Sequence, residues 1–153
     1  MYPDGEALAL TVLRGVTGFT GTTAADANTS RGKWGLLNSG ISDHYGILKP
    51  GEFAREQGAM SMNISTFQTV IQIWQRYTDD GTTLTALEGH VKNVLNYFDT
   101  KRKLGDATGT IVDAYIAEGR EVSERWAKDG ALMWLSQDLI LTWMEHDTVT
   151  YAE

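Results

Sequence analysis

The sequence predicts an α+β fold in which two helices pack on one face of a mostly antiparallel sheet. Two segments place apolar residues at helical spacing, and three others have the β-branched and aromatic composition of strands. This order favours two layers of secondary structure. The 153 residues are 42% apolar and include five tryptophans, enough for one core. We therefore expect a single domain over residues 1–153.

The first predicted element is an amphipathic helix over residues 3–17, followed by a long loop. Apolar side chains recur at helical spacing at Ala9, Val12, Leu13 and Val16. Residues 18–58 are rich in Gly, Thr, Ser, Asn and Asp, with apolar residues only in short clusters. This composition predicts a long loop with at most one short strand. Loops of this length are usually functional or disordered, and this one favours a partner. Trp34 and Phe53 are expected either to fold back onto the domain or to dock on a neighbouring chain, and the general burial of aromatic side chains favours fold-back.

A long strand is predicted over residues 61–77. Phe67, Ile71 and Ile73 lie in one alternation and form an apolar face. Val70 and Trp74 lie in the other, otherwise polar alternation. We therefore expect the second face of this strand to be partly covered as well.

The second helix is predicted over residues 82–100. One apolar stripe follows the helical period through Leu84, Leu87, Val91, Val94, Leu95 and Phe98. Thr82 or Thr85 is the predicted N-cap, with Glu88 completing a capping box. Basic residues 101–103 and Gly105 are typical of a helix C-terminus.

Two more strands are predicted, over residues 110–126 and 131–146, joined by a turn at Asp129 and Gly130. The stretch EGREVSERW is highly charged, so we expect this C-terminal β-hairpin to project beyond the core as a ribbon. Leu139, Leu141 and Trp143 alternate with polar residues, which predicts a half-buried last strand.

Composition excludes several classes of function. Twenty acidic and 13 basic residues give a net charge of −7, which disfavours binding to a phosphate backbone. The absence of cysteine excludes disulfides and thiolate metal sites. No secretory leader and no apolar run of about 18 residues is present, so we expect no membrane segment.

No set of residues has the pattern of a catalytic, cofactor or metal site, so we expect a protein that is not an enzyme. The three histidines are His44, His90 and His146, and their spacing does not predict a metal triad. Neither a GxGxxG nor a GxxxxGK[ST] motif occurs. Carboxylate pairs such as Glu121 and Glu124 lie in polar segments that would not raise a pKa.

The order and character of these elements resemble one family. An N-terminal helix, a long irregular segment, the strand STFQTVIQIWQRY, the helix TLTALEGHVKNVLNYF and a hairpin ending SQDLILTWMEHDTV are together similar to the tail terminator or tail-completion proteins of long-tailed bacteriophages. The resemblance spans most of the chain and includes no catalytic string.

The resemblance implies a structural virion protein of the tail and neck, assembled in the host cytoplasm. It implies a homo-oligomer, a hexameric ring that caps the tail tube and joins the tail to the head. The partners would be the tail tube protein and a head-tail connector or stopper protein. DNA would pass through the lumen without specific binding, and no cofactor would be needed.

Two segments are the expected contact surfaces, because residues 34–53 are too apolar for a free loop and residues 118–132 too charged for a core. The candidate subunit or tube contacts are Trp34, Leu36, Tyr45, Phe53, Arg120 and Trp126. The candidate lumen residues are Glu118, Glu121 and Glu124, which would repel passing phosphates. A solvated ribbon is the alternative for these acids.

Three other functions stay open at this point. Another neck component, a head-tail connector or stopper, would share size and ring assembly. A small dimeric α+β enzyme or ligand-binding domain would require a pocket with convergent polar groups. A nucleic-acid module is disfavoured by charge, since the only basic cluster is residues 101–103.

Overall fold

A computed structural model describes residues 4–19, 27–32, 37, 39–57 and 62–148. The elements are, in chain order, α1 (Gly5–Arg14), β1 (Thr29–Arg31), β2 (His44–Gln57), β3 (Met62–Arg76), α2 (Asp80–Asp99), β4 (Ile111–Gly119), β5 (Ser123–Trp126) and β6 (Leu132–Thr148). The predicted α+β class is confirmed.

All the strands form one sheet in the order β1-β2-β3-β6-β4, with β5 also paired to β6. Only the short pair β1 and β2 is parallel, and the other pairs are antiparallel. β4 and β5 share one edge of β6, because β4 lies along residues 139–145 and β5 along residues 132–136. β6 is therefore the strand that holds the C-terminal half together.

One face of the sheet, the helix face, is covered by both helices, as predicted. Register places Phe67 opposite Trp143 and Ile71 opposite Leu139, so the apolar alternations of β3 and β6 coincide. The buried helical residues that join this core are Ala9, Val12, Leu13, Leu87, Val91, Val94 and Phe98. Burial of this apolar surface is the main stabilising contribution to the fold.

The opposite face of the sheet carries a second, smaller cluster. Tyr45, Ile47, Trp74 and Trp134 are all buried there, with Leu37 packed against them. Val70 is buried as well. The prediction that the second face of β3 is also covered is therefore confirmed.

Both helices begin at an aspartate. Asp4 Oδ1 accepts hydrogen bonds from two amides of the first turn of α1, and Asp79 Oδ1 accepts one from the Thr82 amide of α2 at 2.8 Å. The predicted cap at Thr82 or Thr85 was wrong. Asp79 has the extended backbone of an N-cap, and its short carboxylate satisfies a free amide better than a hydroxyl one turn later.

The long loop predicted over residues 18–58 was also wrong, since it contains β1 and the 14-residue strand β2. Pro50 and Gly51 interrupt the strand pattern in the sequence. The ladder with β3 slips between Pro50 and Phe53, and this irregularity lets the proline stay in the strand. A side chain at Gly51 would lie 2.9 Å from the Gln68 carbonyl oxygen, so the close approach requires glycine.

The single strand predicted over residues 110–126 is two strands, separated by residues 120–122. The charged ribbon is exposed, as expected, but its backbone remains fastened to β6. The Arg120 amide donates to the Asp138 carbonyl at 2.7 Å, and β5 continues the pairing. The ribbon therefore lies along the sheet edge.

The long strands of the sheet extend beyond the helices that cover it. At ~3.3 Å per residue, the 17 residues of β6 span about 55 Å. At ~1.5 Å per residue, the 20 residues of α2 span about 30 Å. The ends of β2, β3 and β6 therefore reach past the helical layer.

Candidate assembly surface

The predicted contact residues separate into buried and exposed positions. Tyr45 is fully buried in the cluster of the opposite face, and its hydroxyl lies 3.0 Å from Ser39 Oγ and accepts from the Ser42 amide. Its assignment to an interface is corrected, because an aromatic ring held this way is a core residue. Trp34 and Leu36 lie outside the described residues.

Phe53 is the most exposed large apolar side chain among the described residues, with 70% of its surface accessible. It lies on the helix face of β2, and its ring centroid is 6.2 Å from that of Phe67. Phe67 in turn stacks on Trp143 at 4.5 Å. Phe53 is thus the outer end of a row of three aromatic rings that begins in the core.

Trp126 is the second exposed aromatic, with 57% of its surface accessible. It ends β5 and pairs with Leu132 at the start of β6. Met133, the next residue, is also exposed. Sequence patterns did not single out Met133, although it follows directly on the predicted turn.

A groove of about 420 Å³ opens beside Met133. Its lining residues are Leu37, Gly40, Arg76, Tyr77, Leu132, Met133 and Trp134. The Arg76 guanidinium lies over the Trp134 ring, 5.4 Å from its centroid. The groove therefore combines an apolar floor with one cation at its rim.

Phe53 and Trp126 lie at diagonally opposite corners of the sheet. Phe53 aligns with Trp143 through Phe67, whereas Trp126 pairs with Leu132, eleven residues earlier on β6. At ~3.3 Å per residue, the two corners are roughly 35 Å apart along the strands. They also lie on opposite sides of the β3-β6 pair.

The charged residues of the candidate surface follow the β4-β5 edge. Glu118, Arg120, Glu121 and Glu124 are all exposed. The Arg120 guanidinium lies 3.8 Å from Glu118 Oε1, an exposed contact that contributes little stability. The Gln137 side-chain amide donates to the Arg120 carbonyl, so the backbone that carries these charges is anchored.

His44 and His90 stack on each other, an arrangement that the sequence did not predict. Their ring centroids are 4.0 Å apart, and Phe19 meets both rings edge-on. His44 Nε2 lies 2.6 Å from the Gly18 carbonyl oxygen and His44 Nδ1 lies 2.7 Å from Asp43 Oδ1. The Gly18 carbonyl and the Asp43 carboxylate are both hydrogen-bond acceptors, so the His44 ring is held between two polar partners.

Burial lowers the pKa of His90, and the neighbouring His44 lowers it further. The stack of His44 on His90 lies between β2 and α2. It ties the segment after α1 to both β2 and α2, which is a structural role.

Neither a metal centre nor a membrane-spanning helix is found in the described part of the chain. No three His, Asp or Glu residues converge there in a way that would hold a metal ion. His146, the third histidine, lies with Nε2 3.2 Å from the Gly109 carbonyl oxygen. Neither described helix is long and apolar enough to cross a membrane.

Comparison with known proteins identifies no family for this chain. No protein-family model matches the sequence, and no curated protein matches it.

Proposed function

We propose that this protein is a structural subunit that forms a ring, caps a phage tail tube and joins the tail to the head. The observation that carries the proposal is the pair of exposed aromatic corners at Phe53 and Trp126. Exposed aromatic residues are enriched in protein interfaces, where they supply large contact areas. The resemblance of the element order to tail terminators supplies the biological setting.

The placement of Phe53 and Trp126 at diagonally opposite corners of the sheet favours head-to-tail association of subunits. In a two-fold dimer the same patch meets itself, whereas a ring needs two different patches that meet each other. The two corners differ in composition, since the Phe53 ring lies beside Phe67, whereas Trp126 pairs with Leu132, which lines the groove. Repeating one such contact by rotation closes a ring, for which we propose six subunits.

The acidic edge suits a surface that faces passing DNA. Glu118, Glu121 and Glu124 are exposed on a backbone anchored to β6. Carboxylates on a lumen wall repel phosphates, so the polymer slides without being held. Replacing all three by glutamine is expected to leave assembly intact and to raise the ring's affinity for DNA.

The first test is the mass of the purified protein by light scattering, with and without the tail tube protein. A hexamer, or a monomer that becomes a ring on the tube, supports the proposal. A dimer that is indifferent to the tube contradicts it and favours a small ligand-binding domain. A ring that binds the portal side of the neck and ignores the tube favours a connector or stopper.

A mixing experiment tests the head-to-tail geometry. Phe53→Glu and Trp126→Glu each disrupt one of the two contact surfaces, so each variant alone should stay monomeric. Mixed together, they retain one intact contact per pair and should form a dimer and nothing larger. Val112→Glu is the matched control, because Val112 is an exposed apolar residue of β4, a strand that pairs with neither β2 nor β5. Larger species in the mixture would contradict the geometry.

A further inference from the structure

We propose that the groove beside Trp134 receives Phe53 and Glu52 from a second copy of this chain. The inference rests on the proposed ring and names the contact by which its subunits meet.

The groove has the lining of an aromatic-binding site. Leu132 and Met133 supply apolar side chains, and the Trp134 ring, which the Arg76 guanidinium overlies, forms another part of the lining. Trp134 is itself buried and packs against Tyr45 at 5.8 Å between ring centroids, so it cannot swing away. A volume of about 420 Å³ accommodates a phenylalanine side chain.

The rim of the groove carries a cation without a carboxylate partner among the described residues. Arg76 is exposed, and its contact is the Trp134 ring. The other described arginines with ion pairs, Arg31, Arg102 and Arg120, each meet a carboxylate within 4.0 Å. A guanidinium above an aromatic ring is well placed to receive an added carboxylate or a second ring.

The opposite corner of the same chain presents the complementary chemistry. Glu52 and Phe53 are adjacent and both exposed, and Glu52 makes no ion pair with any described residue. Phe53 pairs with Phe67 on β3, and Glu52 precedes it within the irregularity between Pro50 and Phe53. An exposed aromatic ring and an exposed carboxylate are thus neighbours at this corner.

The two surfaces match in both charge and polarity. Insertion of Phe53 would remove from water the large apolar side chain with the highest exposed fraction among the described residues, at about 25 cal/mol per Å² of apolar surface. Glu52 would then meet Arg76 at the groove rim, where partial desolvation strengthens the pair. Aromatic and arginine residues dominate the binding energy of interfaces of this kind.

A charge exchange tests the contact directly. Arg76→Glu and Glu52→Arg each place like charges at the proposed contact and are expected to weaken self-association at least about tenfold. The double variant carries both changes in one chain, so every contact has the pair in reversed order. It should associate within about threefold of the unaltered protein. Sedimentation velocity over a concentration series measures both effects.

Lys92→Glu is the matched control, because Lys92 is an exposed cation on α2 away from both corners. It should associate normally. Circular dichroism of each variant shows that the fold is kept, and recovery in the double variant excludes misfolding as the cause of any loss.

The possible outcomes distinguish failure of the proposed groove contact from failure of the proposed ring. A hexamer that tolerates Arg76→Glu, or a double variant as weak as the single ones, overturns the groove contact and leaves the ring proposal standing. A dimer that shows the charge exchange supports the groove contact and overturns the ring. A protein that stays monomeric at all concentrations and on the tail tube overturns both.

Discussion

Gly5 opens α1 directly over the Trp143 ring, so the substitution Gly5→Ala is a sensitive test of how α1 packs on the sheet. A Cβ at Gly5 would lie 2.6 Å from Trp143 Cζ3, well inside van der Waals contact. The ring cannot move away easily. Its Nε1–H donates to Thr69 Oγ1 at 3.1 Å, and its face stacks on Phe67.

Two opposing effects determine how much Gly5→Ala changes the free energy of unfolding. Alanine in a helix is favoured over glycine by up to about 1 kcal/mol. Overpacking of a rigid core costs about 1–3 kcal/mol. The clash should therefore dominate, and we expect a net loss of about 1–2 kcal/mol. For a chain of this size that lowers the melting temperature by roughly 2–8 °C.

Gly89→Ala is the matched control, since Gly89 lies on the exposed side of α2 and a Cβ there meets nothing within 4 Å. It should raise the free energy of unfolding by about 0.5–1 kcal/mol. Urea unfolding of the variants, followed by tryptophan fluorescence, gives both values. If Gly5→Ala stabilises the protein as Gly89→Ala does, the packing of α1 on Trp143 is refuted.

Three further predictions concern single polar groups. Because the pKa of His90 lies below its unfolded value of 6.5, the unfolded chain binds more protons; stability should fall as pH falls below 6.5, and His90→Gln should flatten this slope in thermal melts at several pH values. Thr69→Val leaves the buried indole N–H of Trp143 without an acceptor and should cost about 1–3 kcal/mol in urea unfolding; an unchanged midpoint would contradict the hydrogen bond. Asp79→Ala removes the N-cap of α2 and should cost about 1 kcal/mol, whereas Asp79→Asn should retain most of the stability in the same assay.

Elements with a strong apolar period could be predicted from the sequence. β3 and β6 each carry a mostly apolar alternation, interrupted at Thr69 and Gln137, and α2 carries an apolar stripe from Leu87 to Phe98, whereas the predicted stripe residue Leu84 is exposed. Their positions and buried faces follow from periods of 2.0 and 3.6 residues alone. The pattern restricts the register without fixing it, because a one-residue slip would move Phe67 and Trp143 to opposite faces of the sheet, whereas a two-residue slip would not.

Features that depend on contacts distant in sequence were missed. β2 contains Pro50 and Gly51, which weaken its strand pattern, and its pairing with β3 on one side and with β1 on the other stabilises it. The stack of His44 on His90 joins residues from two elements, and no local signal marks it. Of the candidate contacts, Phe53 is exposed and Tyr45 is buried, and composition cannot tell these two positions of one strand apart.

The outer edges of the sheet favour contact through corner side chains over extension of the sheet from one subunit to the next. β4 carries two irregularities in its ladder with β6, one after Ile111 and one after Ile116. Arg102 adds a bidentate ion pair to Asp113 on the same strand. Bulges and charges are the features by which exposed edges resist pairing with another strand. In the proposed ring, a subunit with this edge would present its acidic ribbon to solvent or to DNA without aggregating through it, and the corners at Phe53 and Trp126 would make the contacts.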